Sequence, residues 1–334
     1  MKIDLVYLWV DGDDPKWKAK KDAALASAGR PIPAHSTNQA RFVEHDELKY
    51  SLRSAEKFAP WINHIYIVTD DQRPKWLADN PKVTVVDHKD IVPAELLPTF
   101  NSNMLEYFIQ NIPGLAEHFL YANDDMFFGR PVDPGFFFDK KGDPIVIMGT
   151  RRWRDAYYKK GRAAAERRGV FFQSTANALK YAYDKTGVKF YQRYRHAIEP
   201  IRKSYRVELV NSDYDYFART TFTPFREKTK IQRIVLNFLD NAKGRNTLVK
   251  KFMIGNERVP FDKRFFSIAR FFRVVLAFFS GKLRSCNTNM DSVARHLKNM
   301  PETFCVNGTT PLNSFSWNLP AMRKLLPEKS KFEK

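Results

Sequence analysis

Two adjacent carboxylates, Asp124 and Asp125, follow an apolar run at residues 119–122 and precede another at 126–128. At the end of a buried strand such a pair repels itself and loses hydration. A divalent cation relieves both costs, and in open α/β sheets ligands sit outside the carboxyl ends of the strands. With Asn123 before them, the two acids read as a metal and phosphate site. The same residues also suit a solvated Asn-Asp-Asp turn between two hairpin strands. A second acid group repeats the layout. Residues 3–10 are apolar except for Asp4 and run into Asp11, Gly12, Asp13, Asp14 and Pro15. Gly12 permits a turn there and Pro15 suits the opening of a helix. The alternative for these acids is a helix N-cap with spare carboxylates.

Strands and helices must bring the acids together. Residues 3–10 read as a buried parallel strand, 65–69 and 83–86 as two more, and 119–122 as the strand that delivers Asp124. Residues 16–40 read as a helix and then a loop, broken at Pro31 and Pro33. Residues 46–58 carry Leu48, Leu52 and Ala55 on one helical face, with Asp46 as the expected cap and Pro60 as the limit. A short helix is expected to begin at 74–77 and a longer one to cover 104–112. Strand and helix alternate over residues 1–130, which predicts an α/β fold with a mostly parallel sheet. Beyond Pro144 the order is less regular: a strand at 145–148, a helix at 173–183, and a basic region at 150–170 with eight Lys and Arg.

The chain has 334 residues, enough for one large core or a core with a smaller partner. Its formal charge is +19, from 56 Lys and Arg against 37 Asp and Glu, which implies an anionic partner. Cys286 and Cys305 form no Cys-x-x-Cys arrangement, so neither a disulfide framework nor a structural zinc site is indicated. Asp4 and Asp11 are out of place in a signal peptide. No stretch of 18 uncharged apolar residues occurs, so no membrane-spanning helix is expected. The expectation is a cytoplasmic protein, soluble or peripheral on the inner face of the membrane.

Together these stretches resemble the Stealth family of sugar-phosphate transferases, which includes bacterial capsule polymerases and the enzyme that puts N-acetylglucosamine-1-phosphate on lysosomal glycans. IDLVYLWVDGDDP at 3–15 matches the family's first motif. The second begins at Arg41 and Phe42 and takes in DELKYSLRS at 46–54, APWINHIYIVTD at 59–70, LPTFNSN at 97–103, Glu106 and NDD at 123–125. His196 with Pro200 matches the core of the third, and Phe225 with Arg226 resembles an Arg-bearing element after it. FCVN at 304–307 matches the fourth, except that Gly308 stands where the family usually has Asp.

The resemblance implies a Rossmann-like core of the nucleotide-sugar-transferase type and transfer of a hexose-1-phosphate, N-acetylhexosamine-1-phosphate above all, from a UDP-sugar to a saccharide hydroxyl. A phosphodiester forms and UMP leaves. Catalysis of that kind is positioning plus neutralisation of phosphoryl charge. Mg²⁺ or Mn²⁺ would be held by Asp124 and Asp125, with Asp11 or Asp13 from the neighbouring strand end. Arg226 and Arg41 would hold the diphosphate, because a guanidinium binds phosphate bidentately. His196 would take the acceptor's proton. On its own a lone His is more often structural. Glu106 would bind a donor hydroxyl or serve as the base instead; otherwise it is a surface helix acid. Tyr7, Trp9 and Gly12 stand where the first strand meets its loop, a nucleotide-binding position, although Trp9 equally suits the core. Asn101 and Asn103 suit sugar hydroxyls or turns. Asn307 belongs with the substrate-binding residues through its motif. The expected division is a nucleotide-sugar- and metal-binding core at 1–150, a continuation with the His and Arg motif at 151–240, and a helical basic region at 241–334 that completes the site.

Two rivals differ in chemistry. A metal-dependent glycosyltransferase would attack the anomeric carbon and release UDP. A nucleic-acid-binding protein would use the charge, but no helix-turn-helix, zinc-finger or RNA-recognition pattern is present, so nucleic acid is not an expected partner. Residues 263–284 alternate Phe-rich and basic clusters. They suit a basic amphipathic helix on an anionic membrane surface, or a helix packed on the core with Arg stems reaching solvent.

Overall fold

The computed structural model of the chain describes residues 1–190, 192–194, 197–227, 231, 234–254, 257–260, 300, 302–306 and 314–334. Its centre is a five-stranded sheet. Strand β1 (Ile3–Leu8) lies between β2 (Ile65–Thr69) and β4 (His118–Asn123), with β3 (Val83–Asp87) beyond β2. These four are parallel; β8 (Glu199–Arg202) closes the far edge antiparallel to β4. Strands covered on both faces read as near-continuous apolar runs, which is why 3–8 and 65–69 are so plain in the sequence. Alternate residues serve opposite cores. Leu5, Tyr7, Ile65 and Leu120 enter one; Val6, Tyr66, Phe119 and Tyr121 enter the other.

Helix α1 (Pro15–Ala26) follows β1, and its N-cap Asp14 accepts from the backbone N–H of Lys16 and Trp17. The short α2 (Ala34–Thr37) leads to α3 (Glu47–Phe58), which lays Leu48, Leu52 and Ala55 on the first core as its periodicity requires. The other face is covered by α4 (Ser102–Leu105) and by helices α5 (Asp155–Lys160), α6 (Val170–Thr186), α7 (Lys203–Ser212), α8 (Tyr214–Thr220) and α9 (Ile234–Ala242). Strand β5 (Met126–Phe128) pairs with β11 (Thr303–Cys305). A second sheet, in the order β10-β9-β6-β7, is built from β6 (Ile145–Arg152), β7 (Gln192–Tyr194), β9 (Thr247–Ile254) and β10 (Glu257–Pro260). Helix α10 (Ser314–Leu325) precedes a tail that returns to the first core.

The parallel α/β core is as expected, and four local readings need correction. Residues 104–112 are not one helix. The chain tightens to i→i−3 bonds there, as in Tyr107 N–H to Met104 and Phe108 N–H to Leu105. Met104, Leu105, Tyr107, Phe108, Ile109 and Ile112 are all buried, and so is Gln110. Residues 74–77 form a turn that ends in a bridge from Leu77 to Glu333. Asp46 marks the start of α3 but caps nothing with its side chain. Its φ is +69°, and its carboxylate pairs with Lys49 at 2.9 Å. Within 241–334 the described residues hold β9, β10 and β11 besides α10, so the described part is mixed where a helical region was expected.

The tail laces the first core. Arg53 on α3 donates from Nε and Nη2 to the two carboxylate oxygens of Glu333, at 2.7 and 2.6 Å, and from Nη1 to Leu326 O at 3.1 Å. The pair is well shielded, with 11% and 3% of the two side chains exposed. Removing one member of a shielded pair leaves the other buried without a partner. Arg53→Ala should therefore lower stability by about 3 kcal/mol. Lys331→Ala, which breaks an exposed pair with Glu56, should change it by less than about 1 kcal/mol. Denaturant titration of both variants checks this, and equal effects would show that the Arg53 pair holds nothing.

Candidate active site

From β1 the chain crosses to β2 and then β3 on one side, and it comes back to β4 on the other side of β1. The switch in direction opens a crevice between the carboxyl ends of β1 and β4, the place where open α/β sheets bind ligands. Leu8 is paired with Asn123 in the ladder, so the loop from Asp11 to Asp14 and the Asp124–Asp125 turn leave the sheet side by side.

The turn is held from several directions. The Asp125 N–H donates to Asp124 Oδ1 at 3.0 Å. The Val306 N–H, just past β11, donates to Asp125 O at 2.9 Å. The Cys305 thiol hydrogen-bonds the Asp125 carboxylate. Asp125 Oδ1 is buried with no hydrogen-bond partner among the described residues. Burial pushes both carboxyls above the ordinary Asp range, and the Asp124 charge adds to the shift of Asp125. Two acids absent from the sequence reading join them at the start of α3. Burial, with the charges of Asp46, Asp124 and Asp11, pushes Glu44 up to about 7, and its Oε1 is buried without a partner. Burial and the Asp124 charge push Glu47 up to about 9; it accepts from the His45 N–H at 2.5 Å. The signal was there: residues 44–47 hold three acids, inside the second motif.

Among the described residues no three His, Cys, Asp or Glu side chains stand at metal-binding geometry. The donor chemistry nevertheless fits a hard cation. The groups are carboxylates, their protonation is favoured by burial and mutual repulsion, and two of their oxygens lack partners.

Two arginines come together on loops that touch the same strands: the Arg41 turn bonds the loop after β1 through Phe42 O, and Arg226 lies near Tyr121 of β4. Arg226 donates to the Ser102 hydroxyl of α4, and its own carbonyl accepts from Ser36 Oγ at 2.7 Å. Burial lowers its pKa, opposed by the neighbouring Glu106 and Tyr121. Arg41 keeps exposed surface, but surrounding protein and then the Arg226 charge lower it to about 10. Two guanidiniums that feel each other's charge make a place for an anion, and their fork geometry suits phosphate.

Comparison with known proteins follows the same residues. Residues 1–29 match Stealth protein CR1, conserved region 1, and residues 41–146 match Stealth protein CR2, conserved region 2. Over those residues the chain is similar to Stealth proteins. It is 38% identical over 231 residues to the exopolysaccharide phosphotransferase CpsY of Mycobacterium tuberculosis, covering 69% of this chain and 42% of that protein. It is 46% identical over 152 residues to the capsular polysaccharide phosphotransferase LcbA of Neisseria meningitidis, covering 45% of this chain and 41% of that one. The chain thus spans about two fifths of the length of these relatives. Among solved structures, the glycosyltransferase GlyE of Streptococcus pneumoniae TIGR4 aligns with 98% of this chain and 63% of its own, at 12% identity and a TM-score of 0.42, too low to carry an argument.

Several Stealth-motif residues make contacts that hold the scaffold. Tyr7 is fully buried and its hydroxyl is 2.8 Å from Ser51 Oγ, which donates to Met126 O at 2.5 Å. It ties β1, α3 and β5 together behind the acids. Trp9 is 6% exposed, packs in the first core, and has its Nε1 buried without a partner. Gly12 is required by close approach: a Cβ there would lie 2.5 Å from Phe42 Cβ and Phe42 O. Its N–H donates to that carbonyl at 2.8 Å. Asn101 is buried and donates to Thr223 O at 3.0 Å, joining its loop to the one that carries Arg226. Asn103 is half-buried on α4, and Glu106 caps the C-terminus of that helix beside Arg226. Asp11 is half-buried, with Gln72 hydrogen-bonded to its backbone at both N and O, and Asp13 is exposed. His196, Asn307, Gly308 and residues 263–284 lie outside the described residues. What is described is that β8 starts beside the carboxyl end of β4, since Glu199 pairs with Tyr121.

The acids give the fold a pH dependence. A carboxyl whose pKa is raised on folding favours the protonated folded state, so the folded protein binds more protons than the unfolded one between the two pKa values. Stability then falls as pH rises from the ordinary carboxylate range through 7 and 9, the raised positions of Glu44 and Glu47. In EDTA the melting temperature should drop from pH 5 to pH 8, and Mn²⁺ should raise it more at pH 8 than at pH 5. Thermal scans at the two pH values test this; no pH slope, or an equal response to Mn²⁺, would remove the acids from a cation site.

Proposed function

We propose that the chain transfers a hexose-1-phosphate from a UDP-sugar to a saccharide hydroxyl in the synthesis of a cell-surface polysaccharide. What supports this is a group of buried acids at the carboxyl ends of β1 and β4, which favour a cation, together with two guanidiniums on loops attached to the same strands, which favour an anion. A metal-bound sugar diphosphate meets both. The relatives' names, exopolysaccharide and capsular polysaccharide phosphotransferase, support the substrate class. The motif match supports the donor.

In this reading Asp124 and Asp125, with Asp11 or Asp13, hold Mg²⁺ or Mn²⁺, which neutralises charge on the diphosphate when bound. Arg226 and Arg41 grip the phosphoryl oxygens and hold the phosphorus in line. Glu106 orients Arg226 or takes a donor hydroxyl. His196 accepts the proton of the acceptor hydroxyl. The acceptor oxygen bonds to the β-phosphorus, the bridging P–O bond breaks, and UMP leaves with the electron pair. Among the described residues no helix is long and apolar enough to cross a membrane. Attachment of residues 263–284 to an anionic membrane surface is part of the proposal.

Products decide between this chemistry and attack at the anomeric carbon. Incubation with UDP–N-acetylglucosamine and other UDP-sugars, a saccharide acceptor and Mn²⁺ should release UMP by mass spectrometry; release of UDP would mean that the phosphate stays behind. His196→Ala should lower kcat by roughly 10²–10⁴-fold with donor affinity little changed. Loss of donor binding alone would make His196 a phosphate contact. Arg226→Lys keeps the charge and loses the fork, so near-normal turnover would remove Arg226 from the diphosphate.

A further inference from the structure

Helix α1 carries a buried cation that the proposed chemistry does not use. Lys21 is 4% exposed, and among the described residues no carboxylate lies within ion-pair distance of it. Its ammonium sits 5.5 Å from the Trp17 ring centre and 4.9 Å from that of Phe42. Burial lowers its pKa, against the nearby charge of Asp22. Holding such a group inside is costly unless it makes strong, specific bonds. Its hydrogen bond goes to Gln39: Nζ donates to Oε1 at 2.9 Å. The Gln39 amide nitrogen then donates to Gly12 O at 2.8 Å and to Asp13 Oδ1 at 3.3 Å.

The direction of this relay matters. A carboxamide has an accepting end and a donating end and can turn over. Lys21 only donates, so it requires the oxygen of Gln39 to face it. The nitrogen must then face Gly12 O and Asp13, both acceptors. Reversed, the amide would set its nitrogen against the ammonium and its oxygen against two oxygens. Phe42 belongs to the same unit, because its N–H donates to Gln39 O at 2.9 Å and its carbonyl accepts from Gly12. Arg41 is the residue between Gln39 and Phe42 with Ala40, on that one turn. The loop of acids and the turn of Arg41 are thereby joined through one amide whose orientation is set from α1.

Phe42 also belongs to an aromatic group that reaches the other guanidinium. Trp17 lies 5.0 Å from Phe42 and 5.3 Å from Phe100, and Phe100 stacks on Phe225 at 5.2 Å and 14°. Phe225 precedes Arg226 and Phe100 precedes Asn101. Such ring pairs resist sliding beyond what area alone supplies.

We propose that Lys21 is a positioning residue of the donor site: it locks the orientation of Gln39, and through it the acid loop after β1 and the Arg41 turn. The lock rests on the donor reading for its purpose and on the observed hydrogen bonds for its existence, so two measurements separate them. The first is hydrogen exchange of the whole chain without ligand. Lys21→Met keeps the stem and loses the donor. It should speed exchange of peptides covering 11–14 by about tenfold or more while the interior of α1 keeps its protection, and Lys21→Arg should restore the wild-type pattern. Gln39→Leu should loosen the same loop, and the double variant should loosen it no further than either single one. Unchanged protection in Lys21→Met, loss spread equally over α1, or additive effects would each overturn the lock. If Lys21→Met does not fold, Gln39→Leu beside wild type still reads the loop, and an unaltered loop there overturns the lock. The second measurement is kinetic, with UDP–N-acetylglucosamine as donor. Lys21→Met should raise the donor KM about tenfold with kcat within about threefold, and Lys21→Arg should recover it. A wild type that turns over no UDP-sugar would overturn the donor reading and leave the exchange result to decide the lock.

Discussion

Like charges forced together at one point govern the architecture. Asp124 and Asp125 leave β4 where β1 ends, and Asp11, Glu44 and Glu47 stand close enough for their charges to be felt. Such a group does not hold itself together. Each acid would rather face water, and every pair repels at a distance where protein screens poorly. Backbone and packing must impose the arrangement. The parallel pairing of β1 with β4 sets the two loops side by side. Tyr7 and Ser51 fix α3, which begins at Glu47, to the back of the same strand. Strand β11 pairs with β5 so that the Val306 N–H reaches the carbonyl of Asp125. The stability of these supports is what keeps the acids close.

Much of this was legible because the strands are buried on both faces. Residues 3–8, 65–69 and 118–123 are unbroken enough to be read as strands, and their acidic ends follow directly. Helix α3 declares itself by Leu48, Leu52 and Ala55. What failed has physical causes. The apolar positions of 104–112 suit a helix as well as a string of tight turns, and pattern alone does not separate the two. Gly12 and Asn101 suited both turns and sites in the sequence, and the 2.5 Å approach of Phe42 and the bond to Thr223 show the structural use. Glu44 and Glu47 were passed over because acids at a helix start have an ordinary explanation in the helix dipole. Their burial beside Asp124 depends on a strand far away in sequence, which no local pattern encodes.

The guanidiniums come together by the same kind of long-range assembly. Arg41 and Arg226 are distant in sequence, yet each adjoins a ring of one aromatic group, Phe42 in the first case and Phe225 in the second. The four rings come from α1, the 39–42 turn, the 98–101 loop and the 222–226 loop. Rings are well suited to join loops with no regular hydrogen-bonded ladder between them. Their contact area is large and their side chains carry little rotamer entropy to lose. The loops are then as fixed as a sheet edge without being part of one.

The acids at the ends of β1 and β4 are not paired with the two arginines among the described residues, although Glu106 lies near Arg226. Among the described residues no ion pair joins Arg41 or Arg226 to Asp11, Glu44, Glu47, Asp124 or Asp125. Had the two sets been meant only to stabilise the fold, direct pairing would relieve both at once. The acids would fall back toward ordinary pKa values and the guanidiniums would rise. Instead the acids are raised and the guanidiniums lowered, the mark of groups whose counter-charge is elsewhere. A ligand that satisfies only one set would leave the other as strained as before. A diphosphate alone would be held by the arginines and repelled by the acids. A cation alone would do the reverse. Under the proposed reading, a ligand that carries both signs, a divalent cation with a diphosphate, would relieve both sets. The separation of charge that weakens the empty site is therefore also what would make it selective.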